Sequence, residues 1–402
     1  VLKTLRSVLR FGPITTDRVE RRLSRCANVD DLRAAAKKRL PGGVFDYIDG
    51  AAEDEVTIER NAAAFRRVEL APRVLRDVAK VDLSTTLLGQ AAPAPLALSP
   101  TGFTRIADPQ GELAVARAAG QRGLVYTLST LATRSIEEVA AVSQGPKWFQ
   151  VYVWRDRGLV ADMVQRAEHE GYEALMVTVD TAVFGRRERD VRRGFTLPPT
   201  IGLGTIVDGI RHPGWTWAFV RGGPITFANV SGDATRDGST AVTLSDFVNS
   251  QFDPTLSWAD LEWLRSITRL PVLVKGIGAA EDARIAAAEG VPAVVISNHG
   301  GRQLDGAPAT LDLLKETVDA VGDGVEVLLD GGVRRGTDIV VARALGARAV
   351  MVGRPYLYGL GAGGERGVGH VLDQLLLGAE RTMSLLGVTS VEDLTEDYVR
   401  AI

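Results

Sequence analysis

From residue 95 onward, short apolar runs alternate with amphipathic stretches. The runs are PLALSP (95–100), LVYTLS (124–129), KWFQVY (147–152), ALMVTVD (174–180), PVLVKG (271–276), AVVISNHG (293–300), VEVLLDGG (325–332) and RAVMVGRP (348–355). Each ends on a polar residue, a proline or a glycine, the pattern of a strand buried on both faces that opens into a loop. Between them lie helical patterns such as Gly111 to Arg122, Glu281 to Glu289 and Thr337 to Leu345. Strands alternating with helices predict parallel pairing. Eight such units in series predict an α/β fold closed as a (β/α)8 TIM barrel, with a doubly wound open sheet as the alternative.

Two segments fall outside this rhythm. Residues 1–90 include DDLRAAAKKRL and VFDYIDGAAEDEVTIERNAAAF and predict an N-terminal helical segment packed on a barrel of residues 91–402, which ends in C-terminal helices. Residues 196–257 form an insertion after the fourth strand, far longer than an ordinary βα loop. It carries HPGWTWAFVRGGP and then a polar piece, SGDATRDGST, so a lid, an interface or a flap is expected.

Composition narrows the classes of partner. A net charge of −3 over 402 residues gives no broad polyelectrolyte surface, which argues against nucleic acid as the main ligand. Cys26 is the single cysteine, so no intrachain disulfide and no cysteine metal site can form. The histidines His169, His212, His299 and His370 show no metal-ligand spacing, and no catalytic metal is expected. The longest uncharged run between Leu83 and Thr104 is broken by Pro93, Pro95 and Pro100, so no membrane span is expected. The start, VLKTLRSVLRFGPITTDR, lacks the apolar core of a signal peptide. A cytoplasmic protein is expected, with peripheral contact at the inner face of the membrane left open.

Candidate chemistry collects at the strands' C-terminal ends, the active face of such a barrel. Read in order, these ends hold Ser99 and Pro100, Ser129, Gln150 and Tyr152, Thr178 and Asp180, and Lys275; then His299 and Arg302, Asp330 with Gly331 and Gly332, and Gly353 with Arg354. The last two units, LLDGGVRRG and VGRP, each join a strand to a glycine turn and an arginine. Glycine lets backbone N–H groups approach a phosphate, and Arg334 and Arg354 can add charge-assisted hydrogen bonds. Either loop alone also reads as a turn beside a solvated arginine. GLGAGG (359–364) spells a dinucleotide fingerprint, but it follows no buried strand and fails its context. His169 is expected on a surface, His212 in the insertion, and His370 just ahead of the helix VLDQLLLGAERTM. Tyr47 alone reads as core, and Asp180 as a helix N-cap.

SNHGGRQLDG (297–306), together with FDYIDGAAEDE, SPTGF, LSTLAT, FQVYVWRDR, TVDTAVFGRRERD, VKGI, LLDGGVRRGTD and VGRPYLYGL, resembles the FMN-dependent L-2-hydroxy acid oxidases and dehydrogenases. The resemblance runs from about Asp31 to about Glu392. It implies that His299 takes a proton from the substrate's α-carbon or its hydroxyl, and that Asp180 stabilises the imidazolium. Arg302 and Arg187 would clamp the substrate carboxylate, with a further bond from Tyr47. Tyr152 would bond the substrate hydroxyl, and Lys275 would sit at the flavin N1–O2 edge. FMN would be held by Pro100, Thr101 and Gly102, by Ser129, Gln150 and Thr178, and at its phosphate by Asp330, Gly331, Gly332, Arg334, Gly353 and Arg354.

Its electron acceptor is less legible. HPGWTWAFVRGGP resembles a segment of the membrane-associated lactate and mandelate dehydrogenases. Trp215, Trp217 and Phe219 with Arg211 and Arg221 suit a membrane interface over 205–225; a short helix packed on the barrel is the alternative. Several oxidases of the family carry alanine where this chain has Gly102, and some relatives a tryptophan where it has Leu131. The expected reaction is oxidation of L-lactate with electrons passed to a quinone. The alternative is an oxidase that reduces O2 to hydrogen peroxide, a mandelate-type substrate included. The first 90 residues contain no histidine, so no haem domain is expected there. The resemblance also implies a homotetramer.

Overall fold

A computed structural model describes residues 15–194, 203–230 and 250–401. The polar piece SGDATRDGST of the insertion lies outside them. Eight parallel strands close a barrel in strict chain order: β1 (Leu96–Leu98), β2 (Tyr126–Ser129), β3 (Lys147–Val151), β4 (Ala174–Thr178), β5 (Val272–Ile277), β6 (Ala293–Ile296), β7 (Glu326–Asp330) and β8 (Ala349–Val352), with β8 pairing back onto β1. The open-sheet alternative is thereby set aside. The turn at Leu88 and Gly89, both at positive φ, joins strands 85–87 and 90–92 into a hairpin. Leu87 and Ala92 of that hairpin pack with the buried cluster that fills the barrel interior.

That interior explains the polar ring. Ala97, Trp148, Met176, Leu273, Val295, Leu328 and Met351 form one buried apolar cluster inside the strands. Side chains of a strand alternate between faces, so the residue two positions later points the same way. Those residues are Ser99, Gln150, Thr178, Lys275, Ser297, Asp330 and Gly353. Seven of the eight strands thus contribute an apolar floor and a polar or small tip; in β2 both Thr127 and the tip Ser129 are polar.

The N-terminal segment contributes helices α1 (Arg18–Leu23), α2 (Val29–Arg39) and α3 (Gly42–Asp49), then a helix at Val56–Arg66. Helical structure stops at Arg66, and from Val68 the chain is extended, its strand 68–70 pairing with 399–401. Asp49 pins α3: Arg33 Nη2 donates to it at 2.7 Å, Arg189 Nη1 at 2.9 Å and the Tyr358 hydroxyl at 2.8 Å. In the insertion, α4 (Leu203–Arg211) and α5 (Pro213–Arg221) lie against the barrel through a few polar hooks. The Trp215 indole donates to Ile106 O at 2.7 Å, and Arg105 Nη1 donates to Pro224 O at 2.9 Å.

The final helix, α6 (Arg354–Leu386), breaks at Gly363 and Gly364, the latter at φ 61°. GLGAGG therefore ends the first part of this helix and forms its break. A Cβ on Gly361 would come within 2.9 Å of Leu40, so these glycines let α2 approach. His370 corrects the sequence reading. It lies within α6, not ahead of it, because the helix resumes directly after the glycine pair; its Nε2 meets Cys26 O at 2.9 Å.

Candidate active site

The strand tips meet in one cleft. Tyr47, Pro100, Thr101, Gly102, Ser129, Gln150, Tyr152, Thr178, Arg187, Lys275, His299, Arg302, Asp330, Gly331, Gly332, Arg334, Gly353 and Arg354 all line it. Asp180 stands behind His299, one hydrogen bond away.

His299 follows β6 at φ 56°, and Gly300 and Gly301 continue in the left-handed region. A non-glycine residue there costs on the order of 1 kcal/mol and persists only where neighbours hold it. Here Ser297 Oγ accepts from His299 N at 3.1 Å, and His299 Nδ1 meets Asp180 Oδ1 at 2.9 Å. An ionised carboxylate can only accept, so the Nδ1 proton faces Asp180 and Nε2 is left for the cleft. Burial alone would raise Asp180; the His299 charge and hydrogen bond, with Lys275 beyond, reverse this and hold it at about 2.

Gly276 permits this arrangement. The ladder between β5 and β6 shifts register between Lys275 and Ile277, and Gly276 takes φ 112°. A Cβ there would fall 2.8 Å from Asp180 Cβ. At the same bulge the Lys275 ammonium is buried, donating to Ser297 Oγ at 2.9 Å and pairing with Asp330 Oδ2 at 3.2 Å. Asp330 also accepts from Ser99 Oγ at 2.8 Å and Ser297 Oγ at 3.1 Å. Its carboxylate is thus turned to Lys275, which differs from its expected place in a phosphate loop.

Two guanidiniums gather on one ring. Arg302 Cζ lies 5.0 Å and Arg187 Cζ 5.7 Å from the Tyr47 ring centroid. Arg302 Nη1 donates to Tyr47 O at 2.7 Å and Gly50 O at 3.1 Å. Among the described residues Arg302 has no carboxylate within ion-pair range, and Arg187 reaches Asp190 only at 3.8 Å. Burial first, then the Arg187 charge, push Arg302 down to about 9, so it remains a cation at neutral pH. Half-buried cations with so little counter-charge suit a carboxylate ligand. Beside them the Tyr152 phenol is raised well above its ordinary value, by burial and then by the Asp180 charge. It stays protonated and able to donate.

The residues fit FMN on two observations. Gln150 Nε2 and Thr178 Oγ1, at the tips of β3 and β4, are buried without a hydrogen-bond partner among the described residues. Such donors are costly unless a ligand meets them. At the other side of the cleft Gly331 and Gly332 take φ 114° and 84°, and α6 begins at Gly353 with no side-chain cap. Free N–H groups at a helix N-terminus beside a glycine turn favour an anion such as a phosphate. Arg354 is already committed: its three nitrogens donate to Ile48 O at 3.1 Å, Gly300 O at 2.8 Å and Gly50 O at 2.8 Å. It ties α3 to the His299 loop whatever else it binds.

Sequence reasoning passed over Asn61. It is buried and exchanges paired amide hydrogen bonds with Asn298 at 2.8 and 2.9 Å, fastening the helix 56–66 to the loop that carries His299. The available signal was an asparagine on the apolar face of VTIERNAAAF. Ser297, the hub between Lys275, Asp330 and His299, was likewise missed, although it stands at the tip of β6.

The family profile described as FMN-dependent dehydrogenase matches residues 36–401. A putative L-lactate dehydrogenase of Mycobacterium tuberculosis is 44% identical over 399 residues, covering 99% of this chain and 95% of that protein. The glycolate oxidase of Spinacia oleracea is 44% identical over 374 residues, covering 93% of this chain and 95% of that protein. Among solved structures, the monotopic membrane protein (S)-mandelate dehydrogenase superposes with a TM-score of 0.91 at 40% identity, covering 94% of this chain and all of that one.

Proposed function

The chain belongs to the FMN-dependent dehydrogenase family, and on that premise we propose that it oxidises an L-2-hydroxy acid, L-lactate first among them, to the 2-oxo acid and passes the electrons to a quinone. The observation that carries the substrate class is the cation pair Arg187 and Arg302 on Tyr47, facing a histidine backed by an ionised carboxylate. Bound FMN supplies the two-electron acceptor. This chain's residues do the rest. Arg302 and Arg187 bind and orient the substrate carboxylate. Tyr152 donates to the substrate hydroxyl oxygen. His299 Nε2 takes the proton, and Asp180 holds the imidazolium that results. Lys275, fixed by Asp330 and Ser297, would present its ammonium to the bound flavin, and Gln150 and Thr178 would give it their free donors. Backbone from Pro100 to Gly102, Ser129, and the 331–334 and 353–354 turns complete the FMN site.

The acceptor reading rests on α4 and α5. Ile210 is 71%, Val220 70% and Trp217 61% exposed on helices that also carry Arg211 and Arg221. Apolar side chains flanked by arginines suit peripheral seating at a membrane surface, where a quinone would be met. No helix among the described residues is long and apolar enough to cross a membrane. Leu131, lining the cleft opposite Gly102, leaves room for a mandelate-type acid as a second substrate. A homotetramer belongs to the same proposal and is read by light scattering.

The test is anaerobic stopped-flow mixing with L-lactate, followed by O2 or a soluble quinone. Rapid bleaching, slow reoxidation by O2 and rapid reoxidation by quinone support the reading. Rapid reoxidation by O2 would make the protein an oxidase. No bleaching by L-lactate would exclude that substrate.

A further inference from the structure

A second pocket lies between α1 and α2, away from the cleft. Arg18, Arg21, Arg22, Arg25, Lys38 and Arg39 line it, with Asp31 as the only carboxylate among its described lining residues. Asp31 is partly spent, since its Oδ2 accepts from Ala27 N at 2.8 Å. Of the other acids nearby, Asp17 and Glu20 are both taken by Arg366, Asp108 faces Arg39, and Asp30 lies exposed in the first turn of α2. Arg22 and Arg39 crowd together, both donating to Ala362 O at the break in α6. Burial first, then the Arg22 charge, lower the Arg39 pKa. Arg18, Arg21, Arg25 and Lys38 are exposed and make no ion pair among the described residues. Residues 1–14 add Lys3, Arg6 and Arg10 to the sequence and no acid.

Its surroundings name a ligand. Three residues beyond Arg39, Gly42 N donates to Asp208 of α4. Asp108 interacts electrostatically with Arg39, and its neighbour Pro109 has Cβ 3.3 Å from where a Cβ on Gly222 would sit, at the end of α5. The cationic pocket therefore adjoins the helix pair that exposes Ile210, Trp217 and Val220.

We propose that this pocket binds a phosphate oxyanion, supplied by the headgroups of acidic phospholipids when α4 and α5 rest on a membrane. Clustered guanidiniums match phosphate oxygens with several charge-assisted hydrogen bonds at once. The lipid source rests on the membrane reading above; the oxyanion site does not.

The test uses the full flavin-loaded chain and a variant with Arg18→Gln, Arg21→Gln, Arg25→Gln and Lys38→Gln, all exposed positions. Both are sedimented with vesicles of phosphatidylcholine alone or mixed with phosphatidylglycerol. Expected is a loss of roughly tenfold or more in affinity for the acidic vesicles, with neutral-vesicle binding and lactate-driven bleaching unchanged. An undiminished gain from phosphatidylglycerol in the variant overturns the proposal. If the wild type binds neither vesicle, the membrane reading fails by itself, and calorimetric titration with inorganic phosphate decides the pocket. Saturable binding lost in the variant upholds an oxyanion site filled from solution; no phosphate binding overturns it.

Discussion

Replacing Asp180 with asparagine removes a charge and little volume, and its effect follows from the geometry. The carboxylate sits 2.9 Å from His299 Nδ1 and is only 11% exposed. It is held at about 2, so it is a full anion at any working pH. When His299 takes the substrate proton, this carboxylate faces a full positive charge. At an effective dielectric of about 20, opposite charges ~3.5 Å apart attract by roughly 5 kcal/mol, and charge-assisted hydrogen bonds measured by mutation give about 1.5–3 kcal/mol. A loss of about 2–4 kcal/mol in the transition state alone slows reduction roughly 30- to 1000-fold. The asparagine amide can also turn its NH2 toward Nδ1, which moves the ring proton to Nε2 and blocks the base. The assay is the rate of flavin bleaching at saturating L-lactate without oxygen, with bound FMN checked by absorbance. An Asp180→Asn protein that keeps its flavin and bleaches within about threefold of wild type would refute His299 as a base supported by this carboxylate.

Thr178→Val keeps shape but removes the unpartnered hydroxyl at the tip of β4. FMN retention in dialysis or by fluorescence titration should weaken about 5- to 10-fold, with the thermal midpoint of the flavin-free protein unchanged or higher. Gly276→Ala forces a side chain into positive φ and against Asp180; bleaching should slow by at least about tenfold, and flavin reduction should fall further than FMN affinity. Asp49→Asn removes the buried charge shared by Arg33 and Arg189; both guanidiniums stay partly solvated and Arg189 keeps Glu55, so about 1–2 kcal/mol should be lost in denaturant unfolding. Burial would raise Asp49, but its arginine and Tyr358 partners lower it to about 2. A depressed carboxylate stabilises fully above its unfolded value of about 4 and loses that contribution as pH falls toward 2. Unfolding free energy measured between those limits should therefore drop with acid more steeply in the wild type than in Asp49→Asn.

Much of this molecule was determined by local sequence. Eight apolar runs with polar tips specify parallel strands, and the two-residue alternation that buries Leu273 and Leu328 also sends Lys275 and Asp330 to the same end of the barrel. The chemistry-bearing residues could be named for that reason. What the sequence could not carry was the pairing of those residues across the chain. Asp330 reads as part of a phosphate turn until the fold sets it against Lys275, 55 positions earlier. Arg354 reads as a free cation until three carbonyls from α3 and the His299 loop surround it. His370 reads as a helix start, yet the glycine pair that breaks α6 stands six residues earlier, so the helix has already resumed when the chain reaches His370. Asn61 met Asn298, and Arg22 met Arg39, only once separate elements were packed side by side. Periodicity is a property of neighbours along the chain, and so it was legible; charge partners, shared hydrogen bonds and the space left by a missing Cβ belong to neighbours in space, which barrel closure and the packing of helices around it decide.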